Sequence, residues 1–114
     1  MNLGRQYIAL AVKDIVASKE FYEKLGFTVD PGCGGIAQRW IMMTNADAII
    51  GLYQGMFPKN IITFTPTDAR SIHRDLAEKG VTFIAEQGME RESGPCHFVM
   101  NDPDGNPVMV DQHF

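Results

Sequence analysis

Residues 7–29 and 61–83 tell one pattern twice at an offset of 54, with YIALAVKDIVASKEFYEKLGFTV lying over IITFTPTDARSIHRDLAEKGVTF. Tyr7 falls on Ile61, Ile8 on Ile62, Leu10 on Phe64, Asp14 on Asp68, Tyr22 on Leu76 and Gly26 on Gly80. Each copy reads strand, helix, strand. A half-domain this short needs its partner, so the two copies are expected to build their core, and a ligand cleft, between them. At 114 residues the chain is then a single domain, 1–114, with repeat 1 over about 5–54, a linker at 55–60 and repeat 2 over about 61–112.

The periodicity fills in the units. In residues 5–12 the apolar bulk falls at Ile8, Leu10 and Val12 with Ala9 and Ala11 between, the period of two of a strand with one heavily packed face. Asp14 is placed to cap a helix that runs to about Leu25, with Ile15, Ser18, Phe21, Tyr22 and Leu25 as its inward stripe and Gly26 as its stop. Strands are expected at 27–30, 37–44 and 48–54, with PGCGG (31–35) as the hairpin turn between the first two. In the second copy, strand 61–65 is followed by Asp68 as cap and helix 69–79, with Ala69, Ile72 and Leu76 inward. Gly80 stops that helix, and strands are expected at 81–85, 96–100 and 107–112, the last two joined by NDPDGN. Both copies are therefore βαβββ, an α+β fold in which a curved eight-stranded sheet encloses a cleft.

Composition excludes several functions. With 10 basic and 14 acidic residues the net charge is −4, which repels a phosphate backbone and argues against nucleic acid as a partner. The N-terminus lacks the pattern of a signal peptide and no stretch approaches the roughly 18 apolar residues of a membrane span, so a cytoplasmic protein without a membrane partner is expected. Cys33 and Cys96 have no zinc or redox spacing and are read as thiols.

Paired βαβββ units, FYEKLGF closing the first helix and DPDGNPVMV before the last strand resemble the vicinal oxygen chelate superfamily over nearly the whole chain. That group includes glyoxalase I, extradiol dioxygenases, methylmalonyl-CoA epimerase, fosfomycin-resistance enzymes and bleomycin-resistance proteins. In its enzymes the resemblance implies a divalent metal held by the first and fourth strands of each unit. Those positions carry Tyr7, Gly51, Ile61 and Met109 here, none of them an imidazole, carboxylate or thiolate donor. The resemblance thus implies the fold and, for this chain, no metal or other cofactor; it also implies a homodimer.

The same side of each strand supplies Tyr7, Ala9, Gly51, Tyr53, Ile61, Thr63, Thr65, Met109 and Asp111, with Trp40 or its neighbours Arg39 and Ile41 on the third strand. Such a surface suits a small aromatic or cationic molecule, and Tyr7, Trp40, Gly51, Tyr53, Ile61, Thr63, Met109 and Asp111 are the expected ligand-binding set. The bland alternative is that these side chains fill the cleft as a second core. An enzyme also stays open, as a glyoxalase-like lyase, isomerase or dioxygenase. It would use a relocated metal at His97, Asp111 and His113, or Tyr7 and Asp111 as acid and base. His73 flanks the packed stripe of its helix and reads as structural, DPDGN reads as a turn and not a calcium loop, and QGMERESG (87–94) reads as a solvated loop with a lid as the alternative.

Overall fold

The first repeat runs β1 (Arg5–Val12), α1 (Ile15–Lys24), β2 (Thr28–Gly35), β3 (Trp40–Asn45) and β4 (Ala48–Gln54). The second runs β5 (Ile61–Thr65), α2 (Ala69–Glu78), β6 (Ala85–Gln87), β7 (Cys96–Asn101) and β8 (Pro107–Gln112). The computed structural model describes all 114 residues, and the fold is α+β with a βαβββ order in each repeat, as the sequence predicts. Contacts divide the chain into a first unit, Tyr7–Ile61, and a second, Ile62–Phe114 together with Met1–Gln6.

In the first unit the strand order is β2-β3-β4-β1, with β1 and β4 parallel and the other pairs antiparallel. Because side chains alternate along a strand, one face carries Leu10, Ile41, Met43 and Leu52. These pack with Ile15 of α1 into a core in which Ile41, Met43 and Leu52 are essentially inaccessible. The second unit repeats the plan as β5-β8-β7-β6, with Phe98, Val110 and Cys96 packed against Ala69 and Ile72 of α2. Leu3 adds to that core, which is why the chain's first residues belong with the second unit.

The helix ends follow the repeat closely. Asp14 Oδ1 accepts from the amides of Val16 and Ala17, and Asp68 Oδ1 from that of Ser71, so both aspartates cap as the sequence predicts. Gly26 and Gly80 lie at φ +93° and +85°, and the amides of Phe27 and Val81 reach back to the Tyr22 and Leu76 carbonyls to close each helix. One further device is common to both copies. Gln54 Oε1, at the end of β4, accepts from the Ile15 amide at 2.9 Å, and Gln112 Oε1, at the end of β8, accepts from the Ala69 amide at 2.9 Å. Each glutamine therefore satisfies a first-turn N–H that has no partner within the helix.

Several expectations need correction. PGCGG is not a hairpin turn: β2 continues through it to Gly35, with a shift of register between the pairs Val29–Met43 and Gly34–Ile41. The extra residues bulge outward, Asp30 Oδ1 holds the Gly32 amide, and a Cβ at Gly34 would collide with the Trp40 carbonyl. The reversal instead uses a 3-10 turn at Ile36–Gln38 ended by Arg39 at φ +68°, so β3 starts at Trp40 and not at residue 37. The sixth strand is displaced from 81–85 to Ala85–Gln87, because Phe83 leaves the sheet to pack against His73 and Phe98. On α1, Ile15 is buried and Tyr22 partly so, but Phe21 and Leu25 face outward.

Gln54→Ala and Gln112→Ala should each lower the free energy of unfolding by roughly 1–3 kcal/mol, the cost of stranding a sequestered donor. Gln112→Ala should be the larger, since the same side chain also donates to the Gly94 and Phe114 carbonyls. Urea denaturation checks this, and an unchanged midpoint would show that the glutamine ties carry no stability.

Candidate functional site

Opposite the helix, the first unit presents a face built by β1, β4 and β3. The register pairs Ala9 with Gly51, Gly51 with Met42 and Tyr53 with Trp40, so alternation puts Tyr7, Gly51, Tyr53, Met42 and Trp40 on one side. Trp40 is thereby assigned to this face, while Ile41 goes to the core and Arg39 to the turn. The Trp40 and Tyr53 rings stack with centroids 5.9 Å apart and planes within 5°, and Phe57 meets the Tyr53 ring at 5.3 Å and 48°. All three rings are only half-buried. Tyr7 is 4% exposed, and its hydroxyl lies 3.2 Å from that of Tyr53, which also donates toward the Met42 sulfur at 3.8 Å.

Gly51 explains how the rings fit. A Cβ there would meet Tyr53 Cε1 at 2.7 Å, Met42 Sδ at 3.0 Å and Tyr7 Cε2 at 3.3 Å. The aromatic cluster thus occupies the space into which any larger side chain on this strand position would project. The donor set does not fit a divalent metal: Gly51 offers nothing, Ile61 and Met109 offer no oxygen, nitrogen or thiolate, and the Tyr7 phenol is engaged with Tyr53. Nowhere in the molecule do three His, Cys, Asp or Glu side chains converge in a metal-binding group.

In the second unit the corresponding face carries Thr63, Met109 and Asp111. Thr63 pairs with Met109, and Asp111 with His97 on β7. Thr63 is fully buried, Met109 and Asp111 partly so, and Asp111 Oδ2 lies 3.2 Å from His113 Nε2. Ile61 is buried at the start of β5.

Two members of the first unit's cluster were not in the expected set. Phe57 lies in GMFPKN, which reads as a connection, and only an aromatic four residues beyond Tyr53 hints at it; Gly55, at φ +73°, supports the bend that returns the chain. Met42 follows from alternation once Trp40 is placed.

The other motifs are accounted for by packing. His73 stacks on Phe83 at 4.1 Å and bonds Glu86 at 2.8 Å, the structural role expected of it. The 88–95 loop is held in place: Arg70 donates to the carbonyls of Arg91, Gly94, Gly88 and Ser93. Asp102 opens the DPDGN turn by accepting from the Asn106 side chain and from the amides of Asn106 and Asp104, which together hold its carboxyl below the ordinary value. Both cysteines are free thiols whose pKa is raised, first by desolvation, so neither is an activated nucleophile. No helix is long and apolar enough to cross a membrane.

Comparison with known proteins fits this frame. Residues 4–110 match the sequence family described as the Glyoxalase/Bleomycin resistance protein/Dioxygenase superfamily. Among solved structures, the chain is similar to a glyoxalase/bleomycin resistance protein/dioxygenase superfamily member from Vibrio splendidus 12B01, at a TM-score of 0.72 and 17% identity, covering 95% of this chain and 97% of that one. It is similar to a protein described as NAD-dependent benzaldehyde dehydrogenase from Legionella pneumophila, at a TM-score of 0.73 and 21% identity over 96% and 99%. Methylmalonyl-CoA epimerase from Mycobacterium tuberculosis follows at 0.72 and 16% over 97% and 88%. No protein of curated function matches the sequence. At these identities the structures speak for the fold alone, while the family match spans nearly the whole chain. The chain belongs to the glyoxalase/bleomycin resistance protein/dioxygenase superfamily.

Proposed function

We propose that this chain binds a small planar organic molecule, aromatic or cationic, without a metal, in the manner of a bleomycin-resistance-type binding protein, and that it works as a homodimer. The observation that carries the reading is the Trp40–Tyr53–Phe57 stack on the first unit, whose half-buried rings offer π-faces beside the Tyr7 and Tyr53 hydroxyls. A flat guest gains dispersion and ring-quadrupole attraction from such a surface, and a cation gains more. Gly51 keeps the floor of the cluster low, and the hydroxyls supply directional contacts. On its own face the second unit offers, in this proposal, Asp111 as an anionic contact for a cationic guest with Thr63 and Met109 beside it, and Ile61, the last residue of the first unit, is kept as an apolar member of the set.

Trp40 is the only tryptophan, so its emission reports directly on the proposed surface. Titration with planar cations and neutral aromatics should change that emission, and a guest at a hundred times its dissociation constant should add about 2.7 kcal/mol to stability. Tyr53→Ala should weaken binding by about tenfold, the worth of one lost ring contact. If no compound moves either emission or melting midpoint, the binding reading fails.

Asp111→Asn separates the two kinds of guest. It should weaken cationic guests several-fold and leave neutral aromatics unchanged; equal loss for both would remove Asp111 from the proposed set.

A further inference from the structure

The repeat contains its own control for what a helix flank should carry when water covers it. On α1 and its C-cap the flank at Ala17, Phe21 and Leu25 is apolar, and Phe21 and Leu25 are 56% and 57% exposed. At the offset of 54, α2 carries Ser71, Asp75 and Lys79 on the same flank of the same unit. The inward positions are not exchanged in this way, since Ile15 and Ala69 are buried in both and Tyr22 and Leu76 pack on their respective cores. Along the outer flank all three positions change from apolar to polar. Beside it, Leu10, Val12 and Phe21 border an open groove of about 370 Å³.

We propose that this flank of α1 is the surface through which two copies of the chain pair, as antiparallel helices about a two-fold axis at Phe21. The inference rests on the homodimer reading above and names its surface. A two-fold interface must complement itself, with residue i meeting j and j meeting i. This flank does so in size: Ala17 and Leu25 lie four residues either side of Phe21, so the axis sets each large Leu25 over the partner's small Ala17. It does so in charge as well. Glu20 and Lys24 border the apolar centre one turn apart, and an antiparallel partner brings the partner's Lys24 towards Glu20 and the reverse. Lys19 and Glu23 are already paired with each other within the helix, at 3.1 Å, and ask nothing of a partner.

Sedimentation velocity over a concentration series tests the proposal. The wild-type chain should dimerise, and Phe21→Asp with Leu25→Lys, which copies the residue types α2 carries in water, should sediment as a monomer with the wild-type far-UV spectrum. Glu20→Lys and Lys24→Glu should each weaken self-association about tenfold by placing like charges opposite one another, and mixing the two variants should restore pairing as a heterodimer. Those charge variants touch no buried residue, so they decide the matter even if the double variant is poorly folded. A dimer that survives all of these changes would overturn the α1 surface while leaving the homodimer standing. A wild-type monomer at every attainable concentration would overturn both.

Discussion

A side-chain amide oxygen returns the end of each unit to its beginning. Gln54 ends β4 and Gln112 ends β8, each on the helix-facing side of its strand, and each accepts from the first amide of the unit's helix. The contact spans 39 residues in one copy and 43 in the other, so it joins the two ends of a βαβββ unit that local structure alone leaves apart. It also fixes where the helix starts, and therefore which residues turn inward. The aspartate cap takes the next amides and the glycine closes the far end, so both helix termini are satisfied before side-chain packing is considered. The cores formed by Leu52 with Ile15 and by Val110 with Ala69 then follow from strand alternation.

Because the helix seals one face of each unit, the other face is free to diverge. In the first unit that face holds a connected aromatic cluster at strand positions where the resemblance implies metal ligands in the superfamily's enzymes. The substitution is cooperative in space: Gly51 is required because the Tyr7 and Tyr53 rings lie where its side chain would be, and Tyr53 bridges Trp40, Phe57 and Tyr7. Reintroducing a histidine or glutamate at position 51 would therefore demand removal of the rings as well. The proposed binding surface and the unfit metal position are two consequences of one packing arrangement.

Much of this was legible because it depends on short-range rules. The 54-residue offset, the aspartate caps and the glycine stops are local patterns, and alternation carried Tyr7, Gly51 and Tyr53 to one face. The failures have physical causes too. PGCGG looks like a turn by composition, but a bulge uses glycine for the same steric reason, and only the cross-strand partner Ile41 distinguishes them. Phe83 has the β propensity of a strand residue, but aromatic packing with His73 and Phe98 outweighs it. Phe21 and Leu25 satisfy a helical stripe in spacing, yet lie beyond the arc that a single sheet covers. Phe57 and the two glutamine ties involve partners that no periodicity brings together.

The claim at the centre is that this chain keeps the superfamily's frame while Tyr7, Gly51, Ile61 and Met109 form no donor set for a divalent metal. Native mass spectrometry of the untagged protein, after exposure to stoichiometric zinc, manganese, nickel or ferrous ion and brief dialysis, tests it most directly. The account predicts a mass without any retained metal ion in every case. One metal ion retained per chain, and retained also when the partly buried His97 and the exposed His113 are replaced, would contradict it.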